Sequence, residues 1–190
     1  MKASPVRPTR AEQLAAENTT IPDLIAPGLR VLFCGINPGL YSGATGHHFA
    51  KPGNRFWPAL HASGFTPHLV SPANERELLD HGVGITNFIA RTTATAAELG
   101  REEYPAGRKT LERKIRKYHP RWLAIVGLGA YRIGFADPFA VVGRQERMIG
   151  STGVWVLPNP SGLNAHYQPK ELARLFGELA TASLFPRSSP

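Results

Sequence analysis

The stretch Val31-Leu32-Phe33-Cys34-Gly35-Ile36 is apolar throughout, apart from one glycine. A continuous apolar run of this length favours a strand that is buried on both faces, as the strands of parallel sheets are. Similar stretches predict three further strands, at residues 84–88, 122–126 and 154–157. The chain is therefore expected to contain a buried, mainly parallel sheet.

Stretches with helical character lie between and after these strands. They predict helices at residues 55–62, 74–81 with Asn74 as the N-cap, 108–118, 129–135 and 169–184. Parallel strands need crossover connections, and right-handed helical crossovers place helices on both sides of a sheet. The element order predicts the α/β class, as a three-layer α/β/α sandwich around a central, mostly parallel sheet.

The length of 190 residues suits one domain, which we expect over residues 23–186. Residues 1–22 are rich in Pro, Thr, Arg and Ala and are expected to form a flexible N-terminal extension with a short helix at residues 10–18. Residues 187–190 are expected to be a loose C-terminal end.

The composition narrows the class of protein. The chain has 22 Lys and Arg residues against 14 Asp and Glu residues, a formal charge of +8, which favours a polyanionic partner such as nucleic acid. Cys34 is the only cysteine, which excludes an internal disulfide and favours a reducing compartment. No run of about 18 apolar residues and no secretory signal is present. We therefore expect a cytoplasmic, nucleoid-associated protein without membrane contact.

The histidine spacings match no metal site, so neither metal nor cofactor is expected.

Two loops follow predicted strands, at residues 37–50 and 158–166, where open parallel sheets bind ligands. The first is rich in glycine, but its spacing matches neither GxxxxGK[ST] nor GxGxxG, which disfavours a nucleoside triphosphate site. Glycine content alone is equally typical of a flexible surface loop. Both loops avoid acidic residues, as a surface facing phosphates must, although a chain with 19% charged residues can show this by chance. Basic residues near them could contact phosphates: Arg30, Lys51, Arg55, Arg144, Arg147 and Lys170.

Two common hydrolytic designs are not supported. Ser161 stands in Pro-Ser-Gly, without GxSxG or a His and Asp at recognisable spacing, so a serine hydrolase is rejected. The loops hold no pair of carboxylates for ordinary glycoside hydrolysis. Any hydrolysis must therefore depend on positioning.

Two separated motifs resemble those of one enzyme family. Gly35-Ile36-Asn37-Pro38-Gly39-Leu40, followed by Gly46 to Ala50 and Asn54-Arg55-Phe56-Trp57, resembles the first motif of mismatch-specific uracil-DNA glycosylases and the related thymine-DNA glycosylases. Asn159-Pro160-Ser161-Gly162-Leu163 resembles their second motif. Gly84-Ile85-Thr86-Asn87 with Arg91-Thr92-Thr93 resembles a segment between them. The likeness runs from about Val31 to Phe176 and implies the uracil-DNA glycosylase fold.

The resemblance also implies roles for individual residues. Asn37 matches the catalytic asparagine, whose amide orients a water toward the sugar carbon. Backbone N–H groups around Ile36 and Phe49 would stabilise the departing base, and the Phe49 ring would stack on it. Ser42 would face the 5-substituent of the base. The implied base pocket comprises Ile36, Gly39, Ser42, Phe49, Asn87 and Asn159.

Base chemistry in a duplex requires the nucleotide to be flipped out. The resemblance implies that Leu163 fills the gap while Gly162 and Asn164 read the orphaned guanine. Contacts to the DNA backbone are expected from Lys51, Arg55, Arg91, Ser161 and His166.

Two positions depart from the family pattern, and a third differs from other uracil-specific relatives. Ala165 stands where some members carry Arg, which removes one expected contact to the orphaned base. Ala90 stands where several relatives have an acidic residue and could modify activity. Asn159 replaces the His of the fast uracil-specific relatives, so we expect a slower enzyme.

The expected function is that of a cofactor-free, monomeric and monofunctional DNA glycosylase of base excision repair. It would hydrolyse the N-glycosidic bond of uracil in G:U-type mismatches of double-stranded DNA, with thymine and etheno-cytosine as further candidate substrates. The abasic site would pass to downstream abasic-site repair enzymes, because neither motif offers a lysine for strand cleavage. The alternatives are a non-catalytic nucleic-acid-binding module of the same fold and a small-nucleotide hydrolase.

Overall fold

A five-stranded sheet forms the centre of the computed structural model, which describes residues 7–162 and 164–184. The strand order is β2-β1-β3-β5-β4, with β4 antiparallel to β5 and all other neighbours parallel. The strands are β1 (Val31–Gly35), β2 (Val83–Asn87), β3 (Trp122–Val126), β4 (Gly143–Ile149) and β5 (Thr152–Leu157).

Helices cover both faces of this sheet. The α-helices are α1 (Arg10–Ala15), α2 (Leu40–Thr45), α3 (Phe56–Ala62), α4 (Glu103–Tyr118), α5 (Leu128–Gly134) and α6 (Pro169–Leu184), and Pro72–His81 and Ala96–Glu98 are 3₁₀ helices. Successive strand residues point to opposite faces, so Phe33 packs with Phe56 and Phe176 on one side, whereas Leu32 packs with Leu111 and Leu123 on the other. The predicted α/β/α sandwich with a mostly parallel sheet is confirmed.

The strands predicted from apolar runs are confirmed, with ends that differ by at most two residues. Strand β4 was not predicted, because its sequence Gly-Arg-Gln-Glu-Arg-Met-Ile is polar. An edge strand has one sheet neighbour and an exposed side, so it does not need an apolar run. Helix α2 was also missed, since it lies within the glycine-rich loop.

Two helix starts differ from the prediction by more than one residue. The 3₁₀ helix begins at Pro72 after Ser71, and Asn74 has φ −105° and ψ 19° inside it, so Asn74 is not the N-cap. Helix α4 begins at Glu103, five residues before the predicted start at 108. Pro105 is tolerated there because the first turn of a helix lacks internal partners for its N–H groups.

Part of the expected N-terminal extension packs on the domain. Helix α1 starts with a capping box in which Thr9 and Glu12 exchange hydrogen bonds. Beyond it, Thr20 forms a bridge with Arg91 and Leu24 forms one with Ile85. No helix in residues 7–162 and 164–184 is long and apolar enough to cross a membrane.

Candidate active site

A pocket of about 160 Å³ opens beyond the carboxyl ends of β1, β2 and β5. Ile36 and Asn37 directly follow β1, Asn87 ends β2, and Asn159 follows β5, so the parallel strands carry them to one edge of the sheet. Asn37 and the six residues predicted for a base pocket all line it: Ile36, Gly39, Ser42, Phe49, Asn87 and Asn159. The structure therefore brings together side chains that are up to 123 positions apart in sequence.

The side-chain amide of Asn37 has a fixed orientation. Its Nδ2 donates to Thr93 Oγ1 over 2.7 Å and to Arg91 O over 3.0 Å. Thr93 donates its own hydroxyl proton to Thr95 O over 2.8 Å, so Oγ1 can only accept from Asn37. Carbonyl oxygens also only accept, which assigns nitrogen rather than oxygen to this side of the amide. Within residues 7–162 and 164–184, no group donates to Asn37 Oδ1, which can accept from a water.

The ring of Phe49 is held between β1 and α3. Its centroid lies 4.0 Å from that of Phe56, with an interplanar angle of 21°. Phe49 has φ +50°, a conformation that bulky residues rarely adopt and that indicates a constrained backbone. On the strand side, a Cβ atom on Gly35 would lie 2.7 Å from Asn87 Oδ1 and 3.2 Å from Phe49 Cζ. Gly35 is therefore required for this close approach.

The residue before Phe49 is anchored by a carboxylate. His48 is 1% exposed, and Glu75 Oε2 accepts from its backbone N over 2.8 Å and contacts its Nδ1 over 3.0 Å. Burial raises the pKa of Glu75. The hydrogen bonds from His48 and the charges of His48 and His47 lower this pKa by more, so that it lies below its ordinary value. A carboxylate only accepts, so Nδ1 carries the proton. His48 Nε2 is buried without a partner among the described residues, and His48 lines the pocket.

Ser42 lies in the N-terminal part of α2 and is 5% exposed. Its Oγ accepts a hydrogen bond from Ala50 N over 3.2 Å, which ties α2 to the residue after Phe49. Ser42 thus connects two segments that line the pocket.

Arg55 holds the second loop in place. Its Nη1 donates to Asn164 O over 3.1 Å and to Tyr167 O over 2.7 Å, and its Nη2 donates to Gly162 O over 3.1 Å. We expected Arg55 to contact DNA phosphates, but its guanidinium is engaged with these carbonyl oxygens. A Cβ atom on Gly162 would lie 2.6 Å from Gly53 O, so the two motifs are in close contact.

Internal hydrogen bonds also shape that loop. Asn159 Oδ1 accepts from Ser161 N over 3.0 Å, and Asn164 Nδ2 donates to Asn159 O over 2.9 Å. His166 is exposed, and its N donates to Asn164 Oδ1 over 3.1 Å. Leu163, predicted to fill the gap in DNA, lies outside the described residues.

Arg91, also predicted to contact DNA, is engaged within the protein. It donates to both carboxylate oxygens of Glu103 over 2.7 and 2.8 Å, and also to Glu98 O and Asn18 Oδ1. The hydrogen bond from Arg91 lowers the pKa of Glu103 to about 2. Lys51, by contrast, is exposed and lines both the pocket and the groove between the two motifs.

The remaining predictions concern Ala90 and metals. Ala90 is exposed and lines a neighbouring groove with Asn87 and Glu103, outside the pocket that contains Asn37. Within the described ranges, no three His, Cys, Asp or Glu side chains come together as metal ligands do.

Sequence reasoning gave no role to several residues at the site: Ile21, His48, Glu75 and Thr93. Thr93 stood within a segment that resembled the family, but nothing in the sequence showed that its hydroxyl faces Asn37. A catalytic amide needs acceptors for its N–H groups. The pair Thr92-Thr93 after the neighbouring strand could therefore have indicated such an acceptor.

Comparisons with known proteins identify the family of this chain. The family model described as "Uracil DNA glycosylase superfamily" matches residues 22–180. The fold is similar to the solution NMR structure of a Methanosarcina acetivorans protein to which a uracil DNA glycosylase function is assigned only provisionally. That match has a TM-score of 0.55 and 20% identity, and covers 85% of this chain and 97% of that chain. Because the family match spans most of the sequence, the chain belongs to the uracil DNA glycosylase superfamily.

Proposed function

We propose that this chain is a monofunctional DNA glycosylase of the mismatch-specific type, which hydrolyses the N-glycosidic bond of uracil in G:U mismatches of double-stranded DNA. The observation that carries the proposal is the Asn37 amide: its nitrogen is held by Arg91 O and Thr93 Oγ1, while Oδ1 is left for a water. A neutral amide is too weak a base to ionise water, but it can orient one.

The reaction follows from this placement. The water oxygen forms a bond to C1′ of the sugar while the bond from C1′ to the base nitrogen breaks. The bonding electrons leave with the base, which takes up one proton, and the second water hydrogen stays on the new hydroxyl group. The products are the free base and an abasic sugar, and the phosphate backbone remains intact.

The pocket contains groups suited to a pyrimidine. Phe49 offers an aromatic ring to a planar base. Asn159 Oδ1 is occupied by Ser161 N, so its Nδ2 is available to donate to a carbonyl oxygen of the base. His48 Nε2 has no partner among the described residues and can form a hydrogen bond with a polar atom of the base. Donors and acceptors of this kind are what uracil requires.

The departing base becomes negatively charged, and backbone N–H groups can stabilise that charge. Phe49 N donates to no group among residues 7–162 and 164–184, which supports its role as one such donor. We propose that Leu163 fills the gap after base flipping, while the backbone of Gly162 and Asn164 contacts the orphaned guanine. Arg55 would act by holding this loop, and Lys51 by contacting phosphate.

A labelled duplex containing one G:U pair tests the proposal. Wild-type protein should release uracil in a buffer with chelator and leave an alkali-labile site, with no strand cleavage before alkali. Asn37→Ala should lose release while retaining DNA binding. Gly177→Ala is the control, because a Cβ atom there meets nothing within 4 Å and Gly177 lies in α6, outside the pocket.

The alternative is a non-catalytic nucleic-acid-binding module. Equal binding by wild type and Asn37→Ala, with no base release by either from uracil, thymine or etheno-cytosine duplexes, would support that alternative and overturn the catalytic assignment.

A further inference from the structure

We propose that residues 16–21, here called the N-terminal strap, are a positioning element of the catalytic centre. The strap holds residues 91–93, and these residues hold the amide of Asn37. The inference rests on the proposed catalytic role of Asn37. It assigns a role in catalysis to residues 16–21, which the proposed function leaves without one.

Hydrogen bonds run in both directions between the strap and residues 91–93. Asn18 N donates to Thr92 O over 3.0 Å, and Thr92 N donates to Thr19 O over 2.9 Å. The Thr92 hydroxyl joins the same two segments, because it accepts from Thr19 N over 3.0 Å and donates to Ala16 O. Thr92 is fully buried, so loss of these contacts would leave polar groups without partners.

Residues 91–93 connect this interaction to Asn37. Arg91 O and Thr93 Oγ1 accept from Asn37 Nδ2, and Thr93 N donates to Pro38 O over 3.2 Å. Thr92 stands between these two acceptors. Residues 91–93 form only isolated bridges and belong to no helix or sheet strand, so their position depends on such contacts. A displacement of Thr92 should therefore move both acceptors of the amide.

The strap also packs directly on helix α2 and the pocket. A Cβ atom on Gly43 in α2 would lie 2.7 Å from Thr92 Cγ2 and 3.1 Å from Ala16 Cβ, which leaves no free space between the three segments. Ile21, the last residue of the strap, lines the pocket. The family match begins at residue 22, so the strap lies just outside the matched residues.

The test replaces Thr92 in the full-length protein. Thr92→Val removes the hydroxyl and keeps the branched shape, whereas Thr92→Ser keeps the hydroxyl. Thr152→Val is the matched control, because Thr152 is also buried and donates to a carbonyl, Pro120 O, but lies at the opposite end of the sheet.

Two measurements separate positioning from general loss of stability. The first is the NMR signal of the Asn37 side-chain NH₂ group, assigned by its loss in Asn37→Ala, and it needs no substrate. The second is the rate of uracil release under single-turnover conditions at saturating DNA, together with the Kd for that DNA. We expect Thr92→Val to shift the Asn37 signal and lower the rate about tenfold at unchanged Kd. Thr92→Ser should keep the Asn37 signal and the rate close to those of the wild type. Thr152→Val should change neither the Asn37 signal nor the rate.

A second variant covers the case in which Thr92→Val does not fold. Asn18 is exposed and has φ +58°, which glycine adopts freely and alanine does not. Asn18→Ala should therefore shift the Asn37 signal and slow release more than Asn18→Gly does.

An unchanged Asn37 signal in Thr92→Val and Asn18→Ala would overturn the role of the strap, even if the wild type releases uracil. A wild type that releases no base would overturn the proposed function instead, while the NMR comparison would still decide whether the strap holds Asn37.

Discussion

Asn37 Nδ2 lies 2.7 Å from Thr93 Oγ1, and the hydroxyl proton of Thr93 is donated elsewhere, to Thr95 O. This relationship decides which end of the amide faces the pocket. The amide oxygen and nitrogen of Asn37 are nearly alike in shape. Because the nitrogen is held by Thr93, the oxygen Oδ1 faces the pocket as an acceptor for water.

Thr93 should therefore be a positioning residue for Asn37. We expect Thr93→Val to slow uracil release about 10- to 100-fold under single-turnover conditions, since loss of one buried hydrogen-bond partner costs about 1–3 kcal/mol. Thr93→Ser keeps the hydroxyl and should retain most of the rate, and neither change should alter the Kd for DNA. A Thr93→Val protein as fast as the wild type would show that Asn37 needs no such support.

The fold was largely predictable because four of its five strands are buried and have mainly apolar sequences, as in residues 31–36. The pocket residues were predictable through the resemblance of the motifs around Asn37 and Asn159 to those of a known family, and each motif lies at the carboxyl end of such a strand. The hydrogen bond that orients Asn37 was not predictable, because Thr93 is 56 positions away and only the folded chain brings the two residues together. The contacts of Arg55 were likewise not predictable: its charge indicated phosphate, which stays a prediction, whereas in the structure its guanidinium donates to backbone carbonyl oxygens.

Gly35 should not tolerate a side chain. In Gly35→Ala, the new Cβ would lie 2.7 Å from Asn87 Oδ1 and 3.2 Å from Phe49 Cζ, so both pocket side chains must move. We expect slower uracil release and, from overpacking, a loss of about 1–3 kcal/mol in unfolding free energy. The rate comes from single-turnover kinetics and the free energy from urea denaturation.

The matched control for this change is Gly177→Ala, where the Cβ has open space within helix α6. It should keep the wild-type rate and gain up to about 1 kcal/mol in stability, because alanine favours helices. If Gly35→Ala released uracil at the same rate as Gly177→Ala, the described packing of Phe49 against β1 would be incorrect.

Glu75 should make stability depend on pH. Its pKa lies below the unfolded value of about 4.3, because its hydrogen bonds with His48 and the nearby histidine charges outweigh burial. The folded state thus favours the carboxylate, and this contribution is complete above the unfolded pKa and is lost as the pH falls through the lower folded pKa. Glu75→Gln should lose on the order of 1 kcal/mol at pH 7.

Urea denaturation of wild type and Glu75→Gln from pH 7 to pH 3 measures this difference. The two free energies of unfolding should converge as the pH falls below about 4.3. Glu77→Gln is the control, since the partly exposed side chain of neighbouring Glu77 is paired with the exposed His68. A constant difference between wild type and Glu75→Gln over the whole range would contradict the pairing of Glu75 with His48.

Arg55 should act through geometry as well as charge. Its two terminal nitrogens bind the carbonyl oxygens of Gly162, Asn164 and Tyr167, an arrangement that a lysine ammonium cannot reproduce. We expect Arg55→Lys to raise the Kd for G:U duplex about tenfold, because the loop around Gly162 loses hydrogen bonds that fix its position. Fluorescence anisotropy measures this Kd. Hydrogen exchange of backbone amides at residues 159–167 should become faster. The same change at exposed Arg174 on helix α6 should affect neither measurement. If Arg55→Lys binds like the wild type while Arg55→Ala does not, only the positive charge matters, and Arg55 contacts phosphate as its sequence position first suggested.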